Sequence, residues 1–204
     1  MKYFAVNAGK KIQLGGYAHF RYQFQEEEGK TDGFDIRRAY VDLKAAITPY
    51  WSFRLQPDFA GTPKIFDIYT ELKINNLLNF TFGQQAIPFS VNDTTANTKL
   101  ELAERSQVIE ALSSRKGDVL GDNNGRDIGL SVYGTLLAIH DRKLFEYRMG
   151  VFNGSGINRA DLNESKDFIG RIILHPTEGL DLGGSFYYGR TPDSATLNNK
   201  IVPA

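Results

Sequence analysis

The sequence predicts an all-β fold: about nine antiparallel strands in up-and-down order, interrupted once by a long inserted loop that carries a helix. Three observations predict it. Apolar and polar residues alternate with a period of two along most of the chain, as strand side chains pointing to opposite faces require. The alternating runs are about ten residues long, the length a tilted strand needs to cross a bilayer. Their connections sort by length, short at one end of the strands and long at the other. Transmembrane barrels show that asymmetry, and a soluble meander has no reason to.

The totals narrow the class. The chain has 204 residues, 41% hydrophobic and 24% charged, so composition does not predict disorder. Its 24 basic and 24 acidic residues give a formal net charge of zero, which supplies no global attraction to nucleic acid. Cysteine is absent, which removes disulfides, thiol chemistry and cysteine-ligated metals. No apolar run approaches the roughly 20 residues of a membrane helix, a fact that bears on helical spans only. The stretch 1–10 has too short an apolar patch for a secretory leader and no small-residue cleavage site.

In chain order, residues 11–25 alternate most cleanly, with Ile12, Leu14, Ala18, Phe20, Tyr22 and Phe24 opposite Gln13, Tyr17, His19, Arg21, Gln23 and Gln25. A polar loop, 26–33, leads into a hairpin over 34–59. Ala39, Val41, Leu43 and Ala45 share one face of its first strand, and Arg38, Tyr40, Asp42 and Lys44 the other. Its second strand sets Trp51, Phe53, Leu55 and Phe59 against Ser52, Arg54, Gln56 and Asp58. Pro57, on the apolar side, lacks a ladder donor and predicts an irregularity. Residues 65–74 place Phe66, Ile68, Leu72 and Ile74 opposite Asp67, Tyr69, Glu71 and Lys73. Leu78, Phe80 and Phe82 mark a fifth strand.

Residues 84–125 break the rhythm. A helix is expected from Leu100 to Leu112, with Thr98 and Glu101 in capping-box spacing and Glu101 and Arg105 spaced as an i,i+4 pair. So long an insertion between strands is usually functional or disordered. Strands resume over 126–135 (Ile128, Leu130 and Val132 against Asp127, Ser131 and Tyr133) and 144–152 (Phe145, Tyr147, Met149 and Val151 against Glu146 and Arg148). The strand over 166–175 sets Phe168, Ile172 and Leu174 opposite Arg171, but Ile169 and Ile173 share the arginine's side and weaken its alternation. A last strand covers 180–189, and 190–204 has no periodicity.

The connections 47–50, 75–77, 136–142 and 176–179 are compact; 26–33, 84–125 and 153–165 are longer, and only 61–64 departs from the rule. The longest loop is the third on its rim, where a porin folds a loop into its bore. Tyr50 and Trp51 at a short turn fit an aromatic belt at a membrane interface, or ordinary strand-end packing.

An ordered set of motifs resembles the phosphate-selective porin O/P family. They are Arg37-Arg38-Ala39-Tyr40-Val41-Asp42-Leu43-Lys44 with Thr48-Pro49 and Trp51-Ser52; Phe82-Gly83-Gln84 with Pro88-Phe89; Glu104-Arg105; Gly125-Arg126-Asp127-Ile128-Gly129; and Gly150-Val151-Phe152-Asn153-Gly154. The likeness runs from about Ile12 to Gly189. It implies a trimeric, roughly 16-stranded barrel in an outer membrane, passing small anions such as phosphate through a lumen lined by basic side chains, with no cofactor. About nine strands cannot supply that barrel, so the chain is expected to be an N-terminal part of a longer protein. Residues 1–204 would then be one partial barrel domain, with 84–125 as the inward-folding constriction loop.

Strand phase gives the lumen candidates: Arg21, Arg38, Lys44, Arg54, Lys73, Arg148 and Arg171. Arginine and lysine can replace part of an anion's hydration with charge-assisted hydrogen bonds. Asp42, Asp58, Asp67, Glu71, Asp127 and Glu146 share that face, so cross-strand structural pairs are the competing role. Arg37 has the opposite phase and is expected outside or at the interface. In the long loop, Arg105, Arg115 and Lys116 are the constriction candidates; Arg105 could instead pair with Glu101 or pin the loop to the wall. His19, His140 and His175 have no metal-ligand spacing, and no GxSxG, P-loop or dinucleotide fingerprint occurs. The sequence therefore gives no enzyme signal. The competing class is a soluble β-barrel with a ligand inside, separated by which face is dry.

Overall fold

A computed structural model describes residues 4–8, 11–24, 31–95, 125–139, 142–161 and 164–189. Ten strands follow one another in sequence order: β1 (Phe4–Ala8), β2 (Ile12–Gln23), β3 (Gly33–Ala46), β4 (Trp51–Asp58), β5 (Lys64–Lys73), β6 (Asn79–Ala86), β7 (Arg126–Ile139), β8 (Arg142–Phe152), β9 (Asp167–Thr177) and β10 (Leu180–Tyr188). One helical turn, α1 (Val91–Thr94), follows β6. The chain falls into two compact units, Met1–Ile68 and Tyr69–Ala204.

In the first unit β1, β2, β3 and β4 pair antiparallel in order. β1 was not expected from the sequence; five residues are too few to display a period, and its pairing along Gly15, Leu14 and Ile12 of β2 defines it. The alternation then resolves into an inverted pattern of burial. Phe20, Val41 and Ile68 are exposed, while Arg38, Asp42 and Asp67 are buried. Phe53 is half-buried. A water-soluble fold arranged this way would forgo its main favourable term, about 25 cal/mol per Å² of apolar surface removed from water. Such a pattern is stable where the solvent on the apolar side is lipid.

Two irregularities shape this unit. β2 and β3 share one register from Ile12↔Ala45 to His19↔Arg38, then resume at Phe20↔Ile36. Arg37 is therefore the extra residue of a β-bulge, half-buried rather than clearly on the outer side. The bulge reverses the phase of the start of β3, so Phe34 and Ile36 join the exposed face and Asp35 lies opposite Arg21. At Pro57 the β3–β4 partners lapse between Tyr40↔Asp58 and Leu43↔Leu55 without a change of register. The Phe59 amide donates to Ala39 O at 2.8 Å. Val41 and Pro57 form the next pair of that kind, where proline has no donor. Next to it, Asp58 Oδ1 accepts from the amides of Ala39 (3.2 Å) and Ala60 (3.0 Å).

Phe66 departs from its expected face. It is buried, with its ring 5.0 Å from that of Tyr40, which is in turn 5.0 Å from Tyr17. Ile65 takes the exposed position instead. Phe66 and Asp67 are consecutive and both buried, so the strand's two-residue period does not hold at its start.

In the second unit β6 to β10 pair antiparallel in order. Phe82, Leu130, Met149, Phe168 and Ile172 are exposed; Thr81, Gln85, Asp127, Ser131 and Asp167 are buried. The outer face is finished by Phe186, whose ring fills the space a Cβ at Gly170 would occupy. Two strands outrun their expected ends. β7 extends to Ile139 past register shifts at Thr135 and Leu137, and β9 extends through Pro176 to Thr177, leaving Gly179 (φ 78°) to make the turn.

Candidate functional site

The seven strand cations singled out by phase differ in their partners. In the first unit, Arg21 holds Asp35 through Nε (3.0 Å) and Nη2 (2.5 Å), the facing residue in register. Arg38 Nη1 lies 3.1 Å from His19 Nδ1, again its register partner. Arg54 grips Asp42 through Nε (2.8 Å) and Nη2 (3.3 Å) and reaches Asp67 through Nη1 (3.1 Å). Lys44, opposite Arg54, is 3.4 Å from Asp42. The result is an alternating chain of charge, Lys44–Asp42–Arg54–Asp67, in which each member compensates its neighbours.

In the second unit, Arg148 on β8 and Arg171 on β9 are direct cross-strand partners. Like charges so placed repel, yet neither arginine makes an ion pair with a described carboxylate. Arg148 lies over the Tyr133 ring, with its Cζ 4.7 Å from the centroid, a cation–π contact. Arg171 Nη2 donates to Thr94 Oγ1 at 3.0 Å. Arg148 Nε and Arg171 Nη1 are buried and have no hydrogen-bond partner among the described residues. Both arginines line a cavity of about 350 Å³, shared with Glu71, Tyr133, Lys143, Glu146, Tyr147 and Ile173. Buried donors left unpaired are costly, so the pair keeps its charge beside this cavity at some expense.

The carboxylates beside this cavity are held elsewhere. Glu71 Oε1 accepts from the Tyr133 hydroxyl, and its Oε2 lies 3.2 Å from Lys73 Nζ. Glu146 is 2.6 Å from Lys143 Nζ and 3.7 Å from His175 Nε2, while His175 Nδ1 meets Asp181 at 2.6 Å. Among the described residues no group of acidic and histidine side chains could hold a metal.

The start of the long loop is fastened over this unit's polar face. Ile87, Phe152 and Ile169 form a buried apolar cluster, with Phe89 and Tyr187 packed on it. Ser185 Oγ donates to Phe89 O. Ser90 caps α1 by accepting from the Asn92 amide, and α1 brings Thr94 to Arg171. Ile169, which spoils the alternation of β9, is thus the wall's contact for the loop. The expected helix over 100–112, with Arg105, Arg115 and Lys116, lies outside the described residues.

Sequence reasoning assigns no role to Tyr133, Thr94 or Lys143, and to Glu71 only that of a structural pair on the polar face. Tyr133 and Glu71 carry that phase; Lys143 precedes the first alternating residue of its strand, Leu144, and Thr94 has no periodic signal. The profile of the family described as phosphate-selective porin O and P matches residues 6–202. No curated protein matches the chain.

Proposed function

We propose, from the premise that this chain belongs to the phosphate-selective porin O and P family, that it forms part of a passive outer-membrane channel for small anions, phosphate among them, in a trimer. The observation that carries the reading is the opposed pair Arg148 and Arg171, two arginines that line one cavity while neither makes an ion pair with a described carboxylate. The exposed apolar face and covered polar face support a strand wall between lipid and a wet bore. The same pattern disfavours a soluble barrel with its ligand inside, which would bury Val41 and expose Arg38.

Permeation needs no covalent step. An anion entering the bore exchanges part of its hydration for guanidinium hydrogen bonds and moves down its gradient. The site must be favourable enough to enter and weak enough to leave. Arg21, Arg38, Lys44, Arg54 and Lys73 set the potential along the wall; because they are paired, Arg148 and Arg171 are the groups that contact the anion most strongly. Arg105, Arg115 and Lys116 add positive charge at the constriction. The test is single-channel conductance of the full-length protein in planar bilayers, with inorganic phosphate titrated against chloride current. Anion-selective reversal potentials are expected, with half-block by phosphate moving up about tenfold in Arg148→Ala and Arg171→Ala, the loss of one charge-assisted contact. Cation selectivity in the wild type would overturn the proposal.

A further inference from the structure

The subsite just described has a feature that anion binding alone does not explain. Glu71 borders the same cavity as Arg148, and a carboxylate next to an unpaired guanidinium ordinarily claims it. Here both Glu71 oxygens are engaged by other groups: the Tyr133 hydroxyl takes Oε1 and Lys73 takes Oε2. The Tyr133 ring simultaneously lies against the Arg148 guanidinium. One side chain thus touches the acid with its polar tip and the base with its π-face, and it stands between them.

We propose that Tyr133 is a positioning residue that preserves the anion affinity of this channel: its hydroxyl holds Glu71 off Arg148 while its ring holds the guanidinium beside the cavity. The inference rests on the reading of Arg148 and Arg171 as the anion subsite. Its physical content is a competition. Arg148 can be neutralised by Glu71 or by a permeating anion, and Tyr133 biases the choice toward the anion. The ring contact is retained in phenylalanine, and the restraint on Glu71 is not.

That separation dictates the variants. In Tyr133→Phe, Glu71 loses its hydroxyl donor and is released toward Arg148. Half-block of chloride current by inorganic phosphate is expected at about tenfold higher concentration, with reversal potentials shifted toward cations. In the double variant Tyr133→Phe with Glu71→Gln, the competing charge is gone and half-block is expected to return to within about twofold of wild type. Glu71→Gln alone is expected to bind phosphate at least as well as wild type. Heat-modifiable mobility of each variant, which reports a folded barrel, accompanies the electrical measurement.

The proposal is overturned if folded Tyr133→Phe blocks like wild type, or if the double variant is no better than Tyr133→Phe. A purely structural role for Tyr133 predicts the second of these results, because removing the charge of Glu71 cannot repair lost packing. The underlying subsite fails in a different way, with Arg148→Ala blocking like wild type.

Discussion

The two units solve the same problem with opposite charge arithmetic. Both cover a polar strand face and expose an apolar one. In the first, Arg21, Arg38 and Arg54 each engage a side chain that lies opposite or one strand away, and Asp42 and Asp67 bracket Arg54. In the second, Arg148 and Arg171 face each other across β8 and β9, and neither makes an ion pair with a described carboxylate. The first arrangement makes a wall. The second leaves charge that its own strands do not neutralise, at a cost in local repulsion, and on the proposed function that charge is the channel's binding capacity. A cation in a bore is therefore functional to the degree that its own fold has not already neutralised it.

The contrast is broken most directly at Arg54. Its removal in Arg54→Ala leaves Asp42 and Asp67, both nearly inaccessible, without their shared counter-charge. Breaking a buried pair by deleting one partner costs about 3 kcal/mol. The urea midpoint of the folded barrel is expected to fall accordingly, while half-block by phosphate stays near the wild-type value. A large change in block with an unchanged midpoint would place Arg54 among the permeation groups and dissolve the distinction.

Arg171→Ala sharpens the same comparison from the other side. It removes a like-charge neighbour of Arg148 together with one charge-assisted hydrogen bond to Thr94. These terms oppose each other, so the urea midpoint is expected to shift by no more than the equivalent of about 1 kcal/mol. Gly170→Val, next to it on β9 but on the outer face, displaces the Phe186 ring. It is expected to lower the midpoint without altering block. Together the two variants separate the covered polar face of β9 from its exposed apolar one.

Most of the wall was legible in the sequence because a two-residue period survives every substitution that respects the face. The cleanest stretch, 11–25, gave the exposed side of β2 correctly. The anomalies were legible too, though not their cause: Ile169 sat on the polar side because the loop from β6 packs there through Ile87. What the sequence could not show is register. Whether Arg54 meets Asp42 or an anion depends on how β3 slides against β4 and on where β5 lies, and composition is blind to both. The bulge at Arg37 is a register event of that kind. The Arg148–Arg171 opposition likewise appears only when β8 and β9 are paired.

The smallest effect is expected beyond that bulge. Arg21 and Asp35 are bidentate, yet their side chains are 27% and 42% exposed, so water screens both charges and competes for both. An exposed pair contributes up to about 1 kcal/mol, and Arg21→Ala should lower the urea midpoint by no more than that. The loss should vanish at about 1 M salt, where the screening length is near 3 Å; the Arg54→Ala loss should persist there, because ions do not reach a covered pair. The two arginines hold the same kind of partner with the same fork, so chemistry does not separate them. What separates them is the register shift, which places Asp35 opposite Arg21 on an exposed stretch of β3 while Asp42 stays under cover. An Arg21→Ala loss as large and as salt-resistant as that of Arg54→Ala would mean that exposure is not what grades these pairs. The sorting of cations into wall and subsite by the company they keep would then fail in the first unit, where it is most complete.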